Sequence, residues 1–460
     1  MNGREGAPKK AQTDFSKGPV WRNIVTQSVP MIAAQVVQLL YNVVDRIYIG
    51  HMPGVGSMAL TGIGLTFPLA TLIAAFTNLF GGGGAPLFAI ARGEKDERRA
   101  SRILGQSAFL LAASSAVLFA FCMLLRRPIL YLFGASDASY GYADAYLRIY
   151  LFGTLFVMLS TGLNGFINAQ GFPRIGMGTV LLGAALNLVL DPLFIFVFGM
   201  GIRGAALATV LSQLVSFLWV MRFFTGPKTL YRLKKEDMIP DLPMIRDIAS
   251  LGLAGFVMQG TNCLVQVVCN AQLRLWGGDL YVGVMTVLNS VREILSLPVT
   301  GIGSGAQPVV SYNYGAQKYS RVRKGVVFMS VADGVYTLAA WGFIALMPGL
   351  LISIFTSDPR MIEAGREAIR IYFFGFVFMA LQFAGQSTFT SLRCPKRAVF
   401  FSLLRKAFIV APLTVLLPRI GGLGVRGVFL AEPISNLVGG SACFITMYFT
   451  LFRKLPKDDR

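Results

Sequence analysis

The sequence predicts an all-α membrane protein of twelve transmembrane helices, arranged as two pseudo-symmetric six-helix lobes in a parallel repeat. Three observations carry this reading. Apolar stretches of at least ~20 residues recur along the chain, long enough to cross a hydrocarbon layer as helices. Only 14% of the 460 residues are charged, where a soluble domain carries roughly a quarter. The second half also repeats landmarks of the first at an offset near 222.

A polar tail, residues 1–22, comes first. It lacks the apolar core of a cleaved signal peptide, so the first span is expected to serve as the targeting signal. Six apolar segments follow, at 23–50, 57–91, 103–125, 142–170, 174–198 and 204–224, and make up an N-lobe, 23–224. Several exceed the minimum spanning length, which calls for tilt or extension past the bilayer. Connections rich in Gly, Pro and charge separate them, such as HMPGVGS and ARGEKDERRASR. Residues 225–245, the longest connection, form a linker at the midpoint. Segments at 246–274, 281–313, 325–347, 367–392, 397–418 and 425–452 make up a C-lobe, 246–452, and a short tail, 453–460, closes the chain.

The net charge of +20 does not call for nucleic acid, because the basic residues lie in alternate loops rather than on one face. The tails, the linker and the connections on their side hold 28 Lys and Arg, against 8 in the opposite set. The excess puts both termini in the cytoplasm, with an even number of spans in the plasma (inner) membrane. Five cysteines, at 122, 263, 269, 394 and 443, lie mostly within apolar segments, and His51 is the lone histidine. Neither a disulfide framework nor a metal centre is expected. The run Gly81 to Gly84 lacks the Lys and Ser/Thr of a phosphate loop, and reads as close helix packing or a hinge. No nucleophile–base pair stands out. An enzyme, a cofactor and direct use of ATP are therefore not expected, and the chain is expected to work as a monomer.

The repeat is specific. Pro86 matches Pro308, Gly93 matches Gly315, and Arg148-Ile149-Tyr150 matches Arg370-Ile371-Tyr372. Gly153 matches Gly375, and Gly201-Ile202-Arg203-Gly204 matches Gly424-Val425-Arg426-Gly427. Six spans per half put both halves in the membrane the same way up, around an axis along the membrane normal. Such a pair encloses a central cavity and works by rocking one lobe against the other.

The polar residues inside the spans are the candidate site. Gln35, Gln38, Asn42 and Asp45 are spaced 3, 4 and 3 apart, which puts them on one helical face. Such a stripe must face a cavity or another helix, and a carboxylate at depth is a functional candidate by default. Arg46 points about 100° away and need not neutralise Asp45. In the fifth segment Asn187 and Asp191 share a face, and Pro192 frees a backbone carbonyl beside them, an arrangement suited to a proton or a small cation. The seventh segment repeats the stripe as Gln259, Asn262, Gln266 and Asn270, with Cys269 at the position of Asp45. Ala411 stands opposite Asp191, and Glu432 aligns with Thr209. The C-half has its own buried-depth charges in Arg292, Glu293 and Glu432, whereas Arg405 and Lys406 read as snorkelling.

These residues lie in motifs that resemble the multidrug and toxic compound extrusion family, and within it the bacterial MepA- and DinF-like branch. The motifs are SVPMIAAQVVQLLYNVVDRIYIGHM (28–52), NGFINAQGFPR (164–174), ALNLVLDPLFIF (185–196) and GIRGAALATVLSQ (201–213). The resemblance implies a secondary active multidrug exporter, exchanging organic, often cationic and amphipathic compounds for H+ or Na+ by alternating access. It assigns cation coupling to Asp45, Asn187, Asp191 and Thr209, and a helix bend to Pro30. Another branch carries acids where this chain has Gln259 and Gln382, which argues against a C-lobe Na+ site of that kind. Gln35, Gln38, Asn42, Gln259, Asn262, Gln266, Gln382, Arg292, Glu293 and Glu432 are then expected to face the substrate cavity. The alternative is a flippase of lipid-linked precursors, or a metabolite exporter, of the same superfamily.

Overall fold

The computed structural model describes residues 12–52, 56–133, 135–355 and 358–457. Among the described residues every regular element is helical. The first eleven residues of the N-terminal tail and the last three of the C-terminal tail lie outside them.

Among the described residues ten helices are long and apolar enough to span, and two bent pairs, each counted as one span, bring the number to twelve. In chain order the N-lobe holds α1 (Val20–Gly50), α2 (Met58–Gly93), α3 (Glu97–Leu124), α4 (Ser139–Phe152 with Thr154–Ala169), α5 (Pro173–Val197) and α6 (Ile202–Thr225). The C-lobe holds α7 (Leu242–Gly278), α8 (Leu280–Gly315), α9 (Tyr319–Leu346), α10 (Pro359–Tyr372 with Phe376–Ser391), α11 (Pro395–Arg419) and α12 (Val425–Lys454). α7 and α8 meet at Gly278, whose φ of +69° turns the chain where a residue with a Cβ would be strained. Large apolar side chains such as Val117, Val331 and Leu338 stay more than half exposed, as a lipid-facing belt requires.

The repeat extends to irregularities. α4 bends by 54° at Gly153 and α10 by 49° at its counterpart, around Gly375. Both glycines sit where another helix crosses. A Cβ on Gly375 would lie 2.6 Å from the Pro433 carbonyl oxygen, and the Gln213 amide occupies that space at Gly153. Short helices, Arg126–Leu132 and Pro348–Ser353, follow α3 and α9 at equivalent places; the sequence pattern does not mark them as elements.

The lobes meet through small residues. In α2, Gly83 packs against the Ile248 carbonyl and Gly252 of α7, where a Cβ would lie 2.7 Å from the Gly252 nitrogen. Its repeat mate in α8, Gly305, packs against Ser28 of α1, with 2.6 Å to the Ser28 nitrogen. Gly93 and Gly315 close the same end, packed on Tyr312 and Ile90. This is the close helix packing expected of the four-glycine run. The contacts joining the lobes run along the half of the bundle that bears both tails, up to Thr300, which donates to Gln35 Oε1 at 2.8 Å.

Residues 12–18 strap this closed end. Thr13 N–H donates to the Gly171 carbonyl at 2.9 Å. From the other lobe, Asn313 donates to the Phe15 carbonyl at 3.1 Å, and Arg321 donates to the Phe15 and Gly18 carbonyls at 2.9 and 2.8 Å. The Phe15 ring meets Tyr312 edge-on at 5.8 Å.

Candidate functional site

α1 runs without a break through Pro30, so the expected helix-bend position lies inside a continuous helix here. The first-span stripe divides between two roles. Gln35 joins the lobes through Thr300, while Gln38, Asn42 and Asp45 line a cavity of about 420 Å³ within the N-lobe. Gln38 donates to the Asn42 side chain at 3.3 Å. The Arg46 guanidinium lies 4.8 Å from the Phe67 ring centroid, turned from Asp45 as the helical angle demands.

α5 brings the second acid behind the first. Asp191 and Asn187 are each only 1% exposed, and the Asp191 and Asp45 carboxyls stand within hydrogen-bonding reach of each other. The Asn187 amide, turned with its nitrogen toward the acid, donates to Asp191 Oδ2 at 2.5 Å while its oxygen accepts from Thr209 N–H at 3.3 Å. Thr209 Oγ1 donates to the Ala205 carbonyl at 3.0 Å. A π-helical turn, Leu193–Val197, follows Pro192. The proline thus loosens the helix into a wider turn beside Asp191 instead of ending it.

Three tyrosines complete this pocket. Tyr41 and Tyr146 place their hydroxyls within reach of Thr209, and Tyr150 does the same with Gln213. The sequence reading missed all four residues. Gln213 stood in a quoted motif, and Tyr41 lies four residues before Asp45 on the same face. A tyrosine in an apolar span carries no signal of its own.

The C-lobe site differs in sign. Asn262, Gln266, Arg292 and Glu432 line a small cavity together with Cys269, which contacts Thr414 Oγ1 at 3.6 Å. Gln382 lines a second, neighbouring cavity. Glu293 is exposed and makes none of the ion pairs around Glu432. Gln259 is half-buried on α7. Arg405 and Lys406 do not snorkel. They are 9% and 3% exposed, because a π-helical turn, Leu404–Val410, faces both into the lobe, where Glu432 receives them. A further acid went unnoticed in the sequence. Asp333 in α9 is fully buried, and neither carboxyl oxygen has a hydrogen-bond partner. A lone Asp in an apolar 28-residue helix was the available signal.

All five cysteines are free thiols, and among the described residues no group of acids, His or Cys has metal-binding geometry.

The MatE family model matches residues 30–193 and 256–416, one match in each lobe. The multidrug export protein MepA of Staphylococcus saprophyticus is 24% identical over 443 residues, covering 94% of this chain and 95% of the relative. MepA of Staphylococcus aureus is 22% identical over 424 residues, covering 92% and 93%. An outward-facing structure of a multidrug resistance MATE family transporter superposes with a TM-score of 0.91 at 23% identity, covering 99% of this chain and 100% of that one. A MATE crystal structure in the straight conformation gives 0.90 at 23% identity, with 96% and 98% covered. Two matched lobes, twelve spans and a buried acid site in the first lobe agree: the chain belongs to the MatE family, the multidrug and toxic compound extrusion transporters of the membrane.

Proposed function

We propose that this transporter exports small organic compounds, often cationic and amphipathic, in exchange for protons, with Asp45 and Asp191 as the coupling pair. The observation that supports this most is that Asp45 lines the 420 Å³ cavity while the buried Asp191 carboxyl stands within hydrogen-bonding reach behind it. Two carboxyls within hydrogen-bonding reach of each other can share a single proton. A cavity of this size suits a drug-sized ligand, and ionised Asp45 attracts a cationic one. Proton and drug then compete for one charge. Drug enters from the cytoplasmic side with the pair ionised, the lobes rock, and a proton arriving from outside neutralises the pair and expels the drug. Asn187 and Thr209 position Asp191 throughout. The basic loops argue that the closed, strapped end faces the cytoplasm, with both termini there, in the plasma membrane.

Titration of a cationic dye into purified, weakly buffered protein tests this reading. Binding is expected to release protons and to weaken as pH falls in the wild type, and to do neither in Asp191→Asn. Dye binding without proton release would overturn the proton assignment. Restored coupling with Na+ as the competing ion would transfer the site to that cation, held by the carboxylates with the Asn187 and Thr209 oxygens.

A further inference from the structure

The C-lobe counterpart of the acid pair keeps the architecture and inverts the charge. Tyr150 and Gln213 are matched through the repeat by Tyr372 and Asn436. Asp45 and Asp191 are replaced by Cys269 and Ala411, and Thr209 by Glu432. Three cations converge on this single carboxylate. Lys406 Nζ lies 2.9 and 3.1 Å from the two Glu432 oxygens, Arg405 Nη1 lies 3.4 Å from Oε1, and Arg292 Nη1 lies 3.6 Å from Oε1. Arg405 also donates to the Asn436 side-chain oxygen.

The charges do not balance. Arg405, Lys406 and Glu432 have side chains 11%, 3% and 8% exposed, and Arg292 is two-thirds covered. Among the described residues, the charged groups lining the two C-lobe cavities are these four; the exposed Glu293 beside Arg292 answers part of that residue's charge from outside the cavities, which leaves Arg405 and Lys406 sharing the single carboxylate of Glu432. Removing an uncompensated charge from water costs several kcal/mol, so a structure that gathers two buried cations on one acid holds attraction for a further anion. The space for it exists. Arg405 and Lys406 form one wall of a cavity of about 250 Å³, whose other walls present Gln382, Gln386, Ser387 and Thr300. The π-helical turn of α11 brings two consecutive cations to the site, a feature often found where helices serve a function.

We propose that the Arg405–Lys406 face of this cavity binds an anionic group, a carboxylate or sulfonate, carried by the exported amphiphile. This rests on the exporter reading above and widens its substrate class: the N-lobe takes the cationic end of a substrate and the C-lobe an anionic one, so zwitterionic amphiphiles engage both. Arg405 and Lys406 supply charge-assisted hydrogen bonds, Gln382 supplies its amide N–H, and Glu432, itself paired with Arg292, holds the two cations in place.

The test compares a rhodamine carrying a free carboxylate with its methyl ester, by calorimetric titration of the detergent-purified full chain. The two dyes share the cationic ring system and differ in one negative charge. The acid is expected to bind about tenfold more tightly than the ester, the worth of one charge-assisted hydrogen bond. Lys406→Gln and Arg405→Gln should each remove the preference, Lys406→Arg should restore it, and Asp191→Asn should retain it. Thermal unfolding of each variant identifies any that fails to fold; Arg405→Gln and Lys406→Gln remove different cations, so either one suffices. Competition with inorganic phosphate separates a free anion, which would displace the acid, from a substrate-borne one, which resists displacement. Equal binding of acid and ester by wild type, or a preference that survives both glutamine variants, overturns the subsite. A preference lost in both variants, alongside absent proton-driven efflux, would leave the subsite standing and remove only the coupling reading.

Discussion

Gly93→Ala should open the closed end of the bundle. The new Cβ would lie 2.7 Å from the Ala316 nitrogen and overlap the Tyr312 carbonyl, both backbone groups at the end of α8 that cannot rotate away. Restoring ordinary contact at about 3.4 Å to the Ala316 nitrogen alone demands a retreat of about 0.7 Å by a whole helix, and the closer Tyr312 carbonyl demands more. Overpacking of this kind costs ~1–3 kcal/mol. The strain falls on the conformation in which the lobes touch at this end, so the equilibrium should move toward the opposite arrangement by about 5- to 150-fold. Gly255→Ala is the control, since its Cβ meets only the Asn78 side chain, at 3.7 Å. The assay uses Ser304→Cys, which lines the space at the seam, with exposed Cys263 and half-buried Cys394 replaced by serine. An impermeant maleimide added on the side of the tails should label the introduced thiol at least about fivefold faster in Gly93→Ala, and at the parental rate in Gly255→Ala. Unchanged labelling in a folded Gly93→Ala protein would refute the idea that these glycines hold the lobes together.

Other perturbations separate the remaining parts. Arg321→Ala removes the hydrogen bonds to the Phe15 and Gly18 carbonyls and should destabilise the detergent-solubilised protein by about 1–2 kcal/mol, read as a lower apparent melting temperature; no change would mean that the strap adds nothing. Glu432→Gln strands the two buried cations Arg405 and Lys406 and should cost about 3–5 kcal/mol, seen as loss of monodisperse protein. The double variant Glu432→Gln with Lys406→Gln should recover part of that loss through coupling of the two sites, and strictly additive losses would contradict the cluster. Thr209→Val removes the hydroxyl offered to Na+ but keeps the backbone N–H that holds Asn187, so proton-driven efflux should stay within about threefold of wild type, well under the 1.4 kcal/mol that a tenfold change represents.

Much of the fold was legible because lipid imposes a simple rule: each span must satisfy its backbone within itself and present apolar side chains. The twelve segments and the offset repeat follow from that rule. The bends at Gly153 and Gly375 did not, because they answer to Gln213 and Pro433, residues far along the chain. Asp45 and Asp191 stood out as carboxylates in apolar surroundings. The tyrosines of the same pocket, Tyr41, Tyr146 and Tyr150, did not, since a tyrosine serves equally as packing or as an interfacial anchor. Arg405 and Lys406 were misread for a related reason. A long cationic side chain in an apolar span predicts snorkelling, but a local π turn and an acid on α12 decide which way the side chains go. Asp333 was legible and passed over, and its unpartnered carboxyl remains the strongest unexplained polar group of the C-lobe.

The most direct test of the central claim is efflux of a fluorescent cationic dye from proteoliposomes under an imposed proton gradient, wild type against Asp191→Asn. Coupling through the acid pair predicts gradient-driven efflux by the wild type and its loss in the folded variant. Equal gradient-driven efflux by the two proteins would contradict it.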